Sequence, residues 1–172
     1  MNERFANIQI DEMRNLGIAS IAEDFDIEFS SGRRLVYSRV NEQILIYIRE
    51  YSLSFTPGRL RALRNRIGAI DEALNQRNVS ENYNFLYKDH LGAGIYVSVD
   101  NNGVDLRRHW YSEERCEIVP AKNGIFLSAL EWTSFKLKLS ELLTTHPELV
   151  DAEECFHIGT MDCRECMPFW TL

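Results

Sequence analysis

The chain has 172 residues, of which 45% are hydrophobic and 26% charged, and its formal net charge is −7. That length suits one sizeable domain or two small ones sharing a core. No apolar run approaches the roughly 20 residues needed to cross a bilayer, so no membrane-spanning helix is expected.

The opening "MNERFANIQIDEMRN" is charged and mixed, unlike a secretory signal. Four cysteines, three of them crowded near the end, do not resemble a disulfide framework, so an intracellular, reducing location is expected. An acidic total argues against tight binding to phosphate backbones. The total hides a gradient, however: residues 1–26 sum to −4, 27–79 to +4, 80–126 to −2 and 127–172 to −5. The basic region carries Arg33, Arg34, Arg39, Arg49, Arg59, Arg61, Arg64 and Arg66, which a solvated helix face would also explain.

In chain order, residues 1–26 read as a lead-in, partly helical around Ile8 to Ile21. "IEFSSGRRLVYSRV" and "EQILIYIREY" then read as strands rich in β-branched and aromatic residues, with "NEQ" as the turn between them. In the second, Ile44, Ile46 and Ile48 fall on one face and Tyr47, Arg49 and Tyr51 on the other. An ordinary solvated face would show Thr, Lys, Glu or Ser instead of rings around a guanidinium. "TPGRLRALRNRIGAIDEALNQ" predicts a helix, with Thr56 as N-cap and Pro57 at the first position. Its stripe of Leu60, Leu63, Ile67, Ile70 and Leu74 is expected to cover the Ile44/Ile46/Ile48 face.

The order then recurs. "GIYVSVDNNGVDLRRHWYS" predicts two strands joined by a tight turn at "DNNG". "CEIVPAKNGIFL" adds a strand pair or extended segment, and "SALEWTSFKLKLSELL" a helix with Leu130, Phe135, Leu137, Leu139 and Leu142 as apolar positions. Strands followed by a helix, twice, at a period of about 70 residues, suggest duplicated half-domains. The expected fold class is α+β: two tandem antiparallel-sheet-plus-helix repeats, 27–79 and 80–146, forming an intramolecular pseudo-dimer. Residues 147–172 are expected to be an acidic tail containing Cys and His, with "ELVDAEE" as a solvated linker.

Segment 104–132, "VDLRRHWYSEERCEIVPAKNGIFLSALEW", resembles the single-stranded-DNA-binding domain of the transcriptional coactivator family called positive cofactor four. The likeness lies in Val104 to Trp110, Pro120 to Asn123, Gly124 to Leu127 and Trp132. Segment 33–74 resembles the same domain through "IYIREY" and "SFTPGRLRALRNRIGAIDEAL", so that roughly two thirds of the chain is covered as two copies. The resemblance implies four antiparallel strands and a helix per copy, paired within the chain or across a homodimer to present a curved sheet to unpaired DNA. It implies that Arg49 and Arg107 contact phosphate or base, that Trp110 stacks just beyond (with Ser52 at that place in copy one), and that Tyr96 and Ser98 lie on the binding face. Arg34 and Ser38 occupy the same strand of copy one, and Lys122 falls in copy two's basic turn. Two departures accompany it: copy one lacks a third-strand hairpin, and Val40 and "DNNG" stand where the family has a stacking ring or a longer lysine-bearing turn.

The Tyr47/Arg49/Tyr51 face suits unpaired bases, because stacking contributes about 1–3 kcal/mol per base and arginine adds cation–π or phosphate contact. The same face could instead pack against another sheet. Cys155, His157, Cys163 and Cys166 offer four zinc-type ligands, although reduced thiols explain them equally. No nucleophilic triad, phosphate loop or metal-hydrolase motif is present, so a non-enzymatic role is expected. The reading is a sequence-tolerant binder of single-stranded or melted DNA acting in transcription, with transcription-machinery proteins as further partners and a nuclear location if the source is eukaryotic. The rival is a protein-interaction or assembly module that retains the fold.

Overall fold

The computed structural model describes residues 24–49, 51–76 and 87–154. The expected lead-in lies outside the described residues up to position 23, as does the tail from 155 onward.

The first half runs β1 (Phe25–Ser30), β2 (Arg33–Ser38), β3 (Gln43–Ile48), β4 (Tyr51–Phe55) and helix α1 (Pro57–Gln76). The second runs β5 (Tyr87–Gly92), β6 (Ile95–Val99), β7 (Gly103–Ser112), β8 (Glu117–Ser128) and helix α2 (Ala129–Thr145), closed by a 3₁₀ turn at Pro147–Leu149. Among the described residues the fold is α+β, with two four-stranded antiparallel sheets in the orders β1-β2-β3-β4 and β5-β6-β7-β8. No helix among the described residues is long and apolar enough to cross a membrane.

Several boundaries differ from the sequence expectation, each for a local reason. "IEFSSGRRLVYSRV" is a hairpin and not one strand, because Gly32, at a φ of 67°, reverses the chain after Ser31. "IYIREY" is likewise two strands: β3 stops at Ile48, Arg49 takes a φ of 54°, and Tyr51 opens β4 opposite Ile48. The third-strand hairpin expected to be missing from the first half is therefore present, made from "YSLSF". "EIVPAKNGIFLS" is one strand of 12 residues. The "DNNG" turn forms as expected, with Asp100 Oδ1 accepting from the backbone N–H groups of Asn102 (2.7 Å) and Gly103 (3.1 Å).

Both helices begin on side-chain caps. Thr56 Oγ1 accepts from the Arg59 N–H at 3.3 Å ahead of Pro57. Ser128 and Glu131 form a reciprocal capping box. The inner faces of both sheets and both helices bury one continuous core. α1 packs on β3 and β4, the sheet that its stripe was expected to cover, and also on β5 and β6. α2 reciprocates by packing on β1 and β2 as well as β7 and β8. Its buried stripe is Trp132, Phe135, Leu139 and Leu142. Leu130 and Leu137 fall off that stripe and are 78% and 67% exposed, contrary to the apolar pattern.

The halves share details of pairing. Tyr87 stands 62 positions after Phe25, Val104 60 after Ile44, and Leu127 72 after Phe55, all at corresponding pairs. The second half thus carries twelve more residues between its third and fourth strands. They form an arm in which Trp110 faces Val119 and Tyr111 faces Ile118, beyond the last β6 pair at Ile95 and Arg108.

The segment expected to be a solvated linker is docked instead. Leu149 is buried, and His146 packs edge-on against Tyr37, 4.9 Å between ring centroids. Glu148 pairs with Arg39 at 3.0 Å, and Glu154 with Arg66 at 2.5 Å. Burial of Leu149 and His146 holds the acidic segment against the basic half.

Candidate nucleic-acid interface

Since side chains alternate across a strand, the face opposite the core is fixed by register. On the first sheet Arg34 lies opposite Tyr47, and Tyr47 opposite Ser52. On the second, Tyr96 lies opposite Arg107, and Arg107 opposite Gly124. The same station thus holds a ring and a guanidinium in both sheets, with the two exchanged between strands.

This register corrects the correspondence drawn from the sequence. Tyr47, and not Arg49, occupies the station of Arg107. Arg49 matches His109: its N–H donates to the Gly32 carbonyl at 2.9 Å, as that of His109 does to Gly94 at 2.7 Å. Arg49 is exposed in the β3–β4 turn and so does not sit between Tyr47 and Tyr51 on one strand; Tyr51 begins β4 and is 49% exposed. Ser52 lies on β4 beside Tyr47, so it is not the counterpart of Trp110.

The first sheet's outer face is largely committed. Arg34 Nε donates to Asp26 Oδ1 at 2.9 Å, with a second, closer contact between Nη2 and Oδ2. Ser38 is buried and Tyr47 half-buried.

The second sheet's outer face carries a row of rings. Tyr96 lies 4.9 Å from His90 and 4.6 Å from His109 between ring centroids, and Lys88 Nζ stands 5.1 Å from the Tyr96 centroid. Lys88 pairs across the strands with Ser98, and Asp105 with Phe126, which is 37% exposed. Sequence reading singled out neither Lys88 nor His90. The available signal was the β5–β6 hairpin, whose turn at Ala93 and Gly94 folds His90 back onto Tyr96.

Arg107 is a clamp within this face. Its Nε and Nη2 donate to Asp105 Oδ2 and Oδ1 at 2.9 and 3.1 Å, and its Nη1 to the carbonyls of Ala121 (2.8 Å) and Lys122 (2.9 Å). The guanidinium lies so close over Gly124 that a Cβ there would stand 2.4 Å from Arg107 Cζ. Its donors tie the base of the arm to the sheet. Lys122 is exposed beside it.

The arm exposes rings on both faces. Trp110 and Tyr111, as successive strand residues, point to opposite sides and are 46% and 41% exposed, with Ile118 46% exposed opposite Tyr111. The two-stranded ribbon thus carries exposed apolar groups on both faces.

His109 is buried, and burial holds its imidazole below the ordinary value of 6.5, opposed by the Arg107 carbonyl. A histidine kept neutral in the fold binds fewer protons than it does unfolded. Its contribution to stability is therefore complete above about 6.5 and lost as pH falls below that value. Thermal unfolding at pH 7.5 and 5.5 should show a loss on acidification that is smaller in His109→Gln; an equal loss in the variant would refute this linkage.

Among the described residues no group of three or more His, Cys, Asp or Glu side chains could hold a metal ion. Cys155, His157, Cys163 and Cys166 lie outside the described residues. No family model, curated protein or solved structure matches the chain.

Proposed function

We propose that the protein binds single-stranded nucleic acid on the outer face of its second sheet, by stacking bases on the Tyr96 row and the arm. The observation that carries this reading is the run of rings His90–Tyr96–His109 with Lys88 beside Tyr96 and the exposed Trp110 close by in sequence. Rings with an adjacent cation bind any base face and need no hydrogen-bond code, which suits sequence-tolerant recognition. Lys88, beside the Tyr96 ring, and the exposed Lys122 supply cationic contacts to the strand. With few cations on this face, affinity is modest and its salt dependence shallow.

We further infer that the halves are copies of one unit paired as an intramolecular pseudo-dimer. Matching hairpin irregularities at Glu28/Ser30 and His90/Gly92, and the exchange of helix packing between sheets, support it. The resemblance to positive cofactor four is consistent with this pairing and supports a role in transcription, on single-stranded or melted DNA.

Fluorescence anisotropy with a labelled oligonucleotide tests the binding. Tyr96→Ala should weaken single-strand binding by about 1–3 kcal/mol, or roughly 5- to 150-fold, with duplex binding weaker throughout. Equal affinity of wild type and variant, or no single-strand binding at micromolar protein, would reject the assignment. The arm favours a second reading, an assembly module docking through Trp110, Tyr111 and Ile118. That reading predicts that Trp110→Ala alters partner binding while leaving oligonucleotide affinity unchanged.

A further inference from the structure

We propose that Arg61 and Arg64, on the side of α1 turned away from the sheets, form a seat for a phosphate group. Five arginines are matched by carboxylates: Arg33 with Glu131, Arg34 with Asp26, Arg39 with Glu148, Arg66 with Asp89 and Glu154, and Arg107 with Asp105. Arg61 and Arg64 differ. Arg61 Nη1 reaches a neutral acceptor, the Val150 carbonyl, at 3.4 Å. Arg64 Nη1 is buried, with no hydrogen-bond acceptor among the described residues.

The two lie at i and i+3, so their side chains neighbour one another on the helix surface. Burial, together with the like charge of Arg61, lowers the proton affinity of the Arg64 guanidinium. In a chain of net charge −7, such a pair of adjacent cations stands out. One anion accepting from the accessible N–H groups of both half-buried side chains would relieve their repulsion. Phosphate fits best, because its oxygens accept paired guanidinium N–H groups in a planar fork.

The helix surface one turn from Arg64 is open. Gly68, one turn beyond Arg64, is exposed, and a Cβ built there would meet nothing within 4 Å. Asn65 Nδ2 donates to Glu154 Oε2 at 2.8 Å. The core-facing residues Leu60, Leu63 and Ile70 set α1's orientation, so this surface is separate from the sheet face that carries Tyr96.

The test uses the full chain, ¹⁵N-labelled, with arginine Nε–Hε resonances followed by NMR. One titration uses pyrophosphate, the other an abasic deoxyribose-phosphate oligomer. Saturable shifts at Arg61 and Arg64, but not at Arg33, are expected, and should be at least about tenfold weaker in Arg61→Gln/Arg64→Gln. Arg61→Lys/Arg64→Lys should fall between the two, since charge remains but the fork is lost. Response to both ligands identifies the phosphate group itself, and tighter binding of the oligomer identifies a phosphodiester chain as its source. Response to pyrophosphate alone identifies small phosphates. No saturable shift with either ligand, or equal shifts at Arg33, overturns the seat. Neither result bears on ring stacking, because the abasic oligomer has no bases to stack.

Discussion

Trp132→Ala should lower the free energy of unfolding by about 3–5 kcal/mol, the range for deleting a large buried aromatic side chain. Trp132 is 1% exposed and stacks on Phe135, 5.6 Å between centroids. Its Nε1–H donates to Asp71 Oδ1 at 2.8 Å, and Lys136 Nζ reaches the same carboxylate at 2.7 and 2.8 Å. The indole therefore joins α2 to α1 as well as filling the core, and both losses act together in the alanine variant. Trp132→Phe separates them: it keeps most of the ring volume and should cost about 1 kcal/mol for the lost hydrogen bond plus a smaller packing term. Urea unfolding measures both. A cost below about 1.5 kcal/mol for Trp132→Ala would show that the site collapses around the missing ring and that the two helices are not joined there.

Gly103→Ala should be comparably damaging, by about 3 kcal/mol or more, for a different reason. Gly103 has a φ of 156°, and a Cβ there would stand 2.2 Å from the Leu127 carbonyl oxygen and 3.0 Å from Phe126 Cζ. The obstructing oxygen belongs to the backbone of the neighbouring strand, so no side-chain rotation relieves it. Gly103 also pairs with Ser128, the N-cap of α2, so opening this end of the sheet disturbs the helix start. Asn102→Ala, one residue away and exposed, is the control and should cost under about 0.5 kcal/mol. If the two variants melt alike, the strand ends are free to separate and the account is wrong.

Both positions bear on function through the second sheet. Gly103 opens β7, the strand that carries Asp105, Arg107, His109 and Trp110 in turn. A variant loosened there should lose stacking affinity along with stability. Tyr96→Ala should affect affinity with little effect on stability, because Tyr96 lies on the outer face, away from the core.

The sequence by itself determined the local elements of this protein. Alternation made strands of "QILIYI" and "IYVSV", Thr56-Pro57 and Ser128-x-x-Glu131 started the helices, and "DNNG" turned the chain, because each signal acts within a few residues. The tertiary structure decided what depends on register and on distant partners. A turn at Arg49 moved it off the strand face where alternation alone had put it, since one left-handed residue ends a strand that remains apolar in composition. Asp105 and two carbonyls of β8 turned Arg107 from a ligand-facing cation into a clamp. The exchange of α1 and α2 between the sheets, and the placement of His90 and His109 on either side of Tyr96, came from pairing and burial across the chain, which no stretch of residues encodes alone.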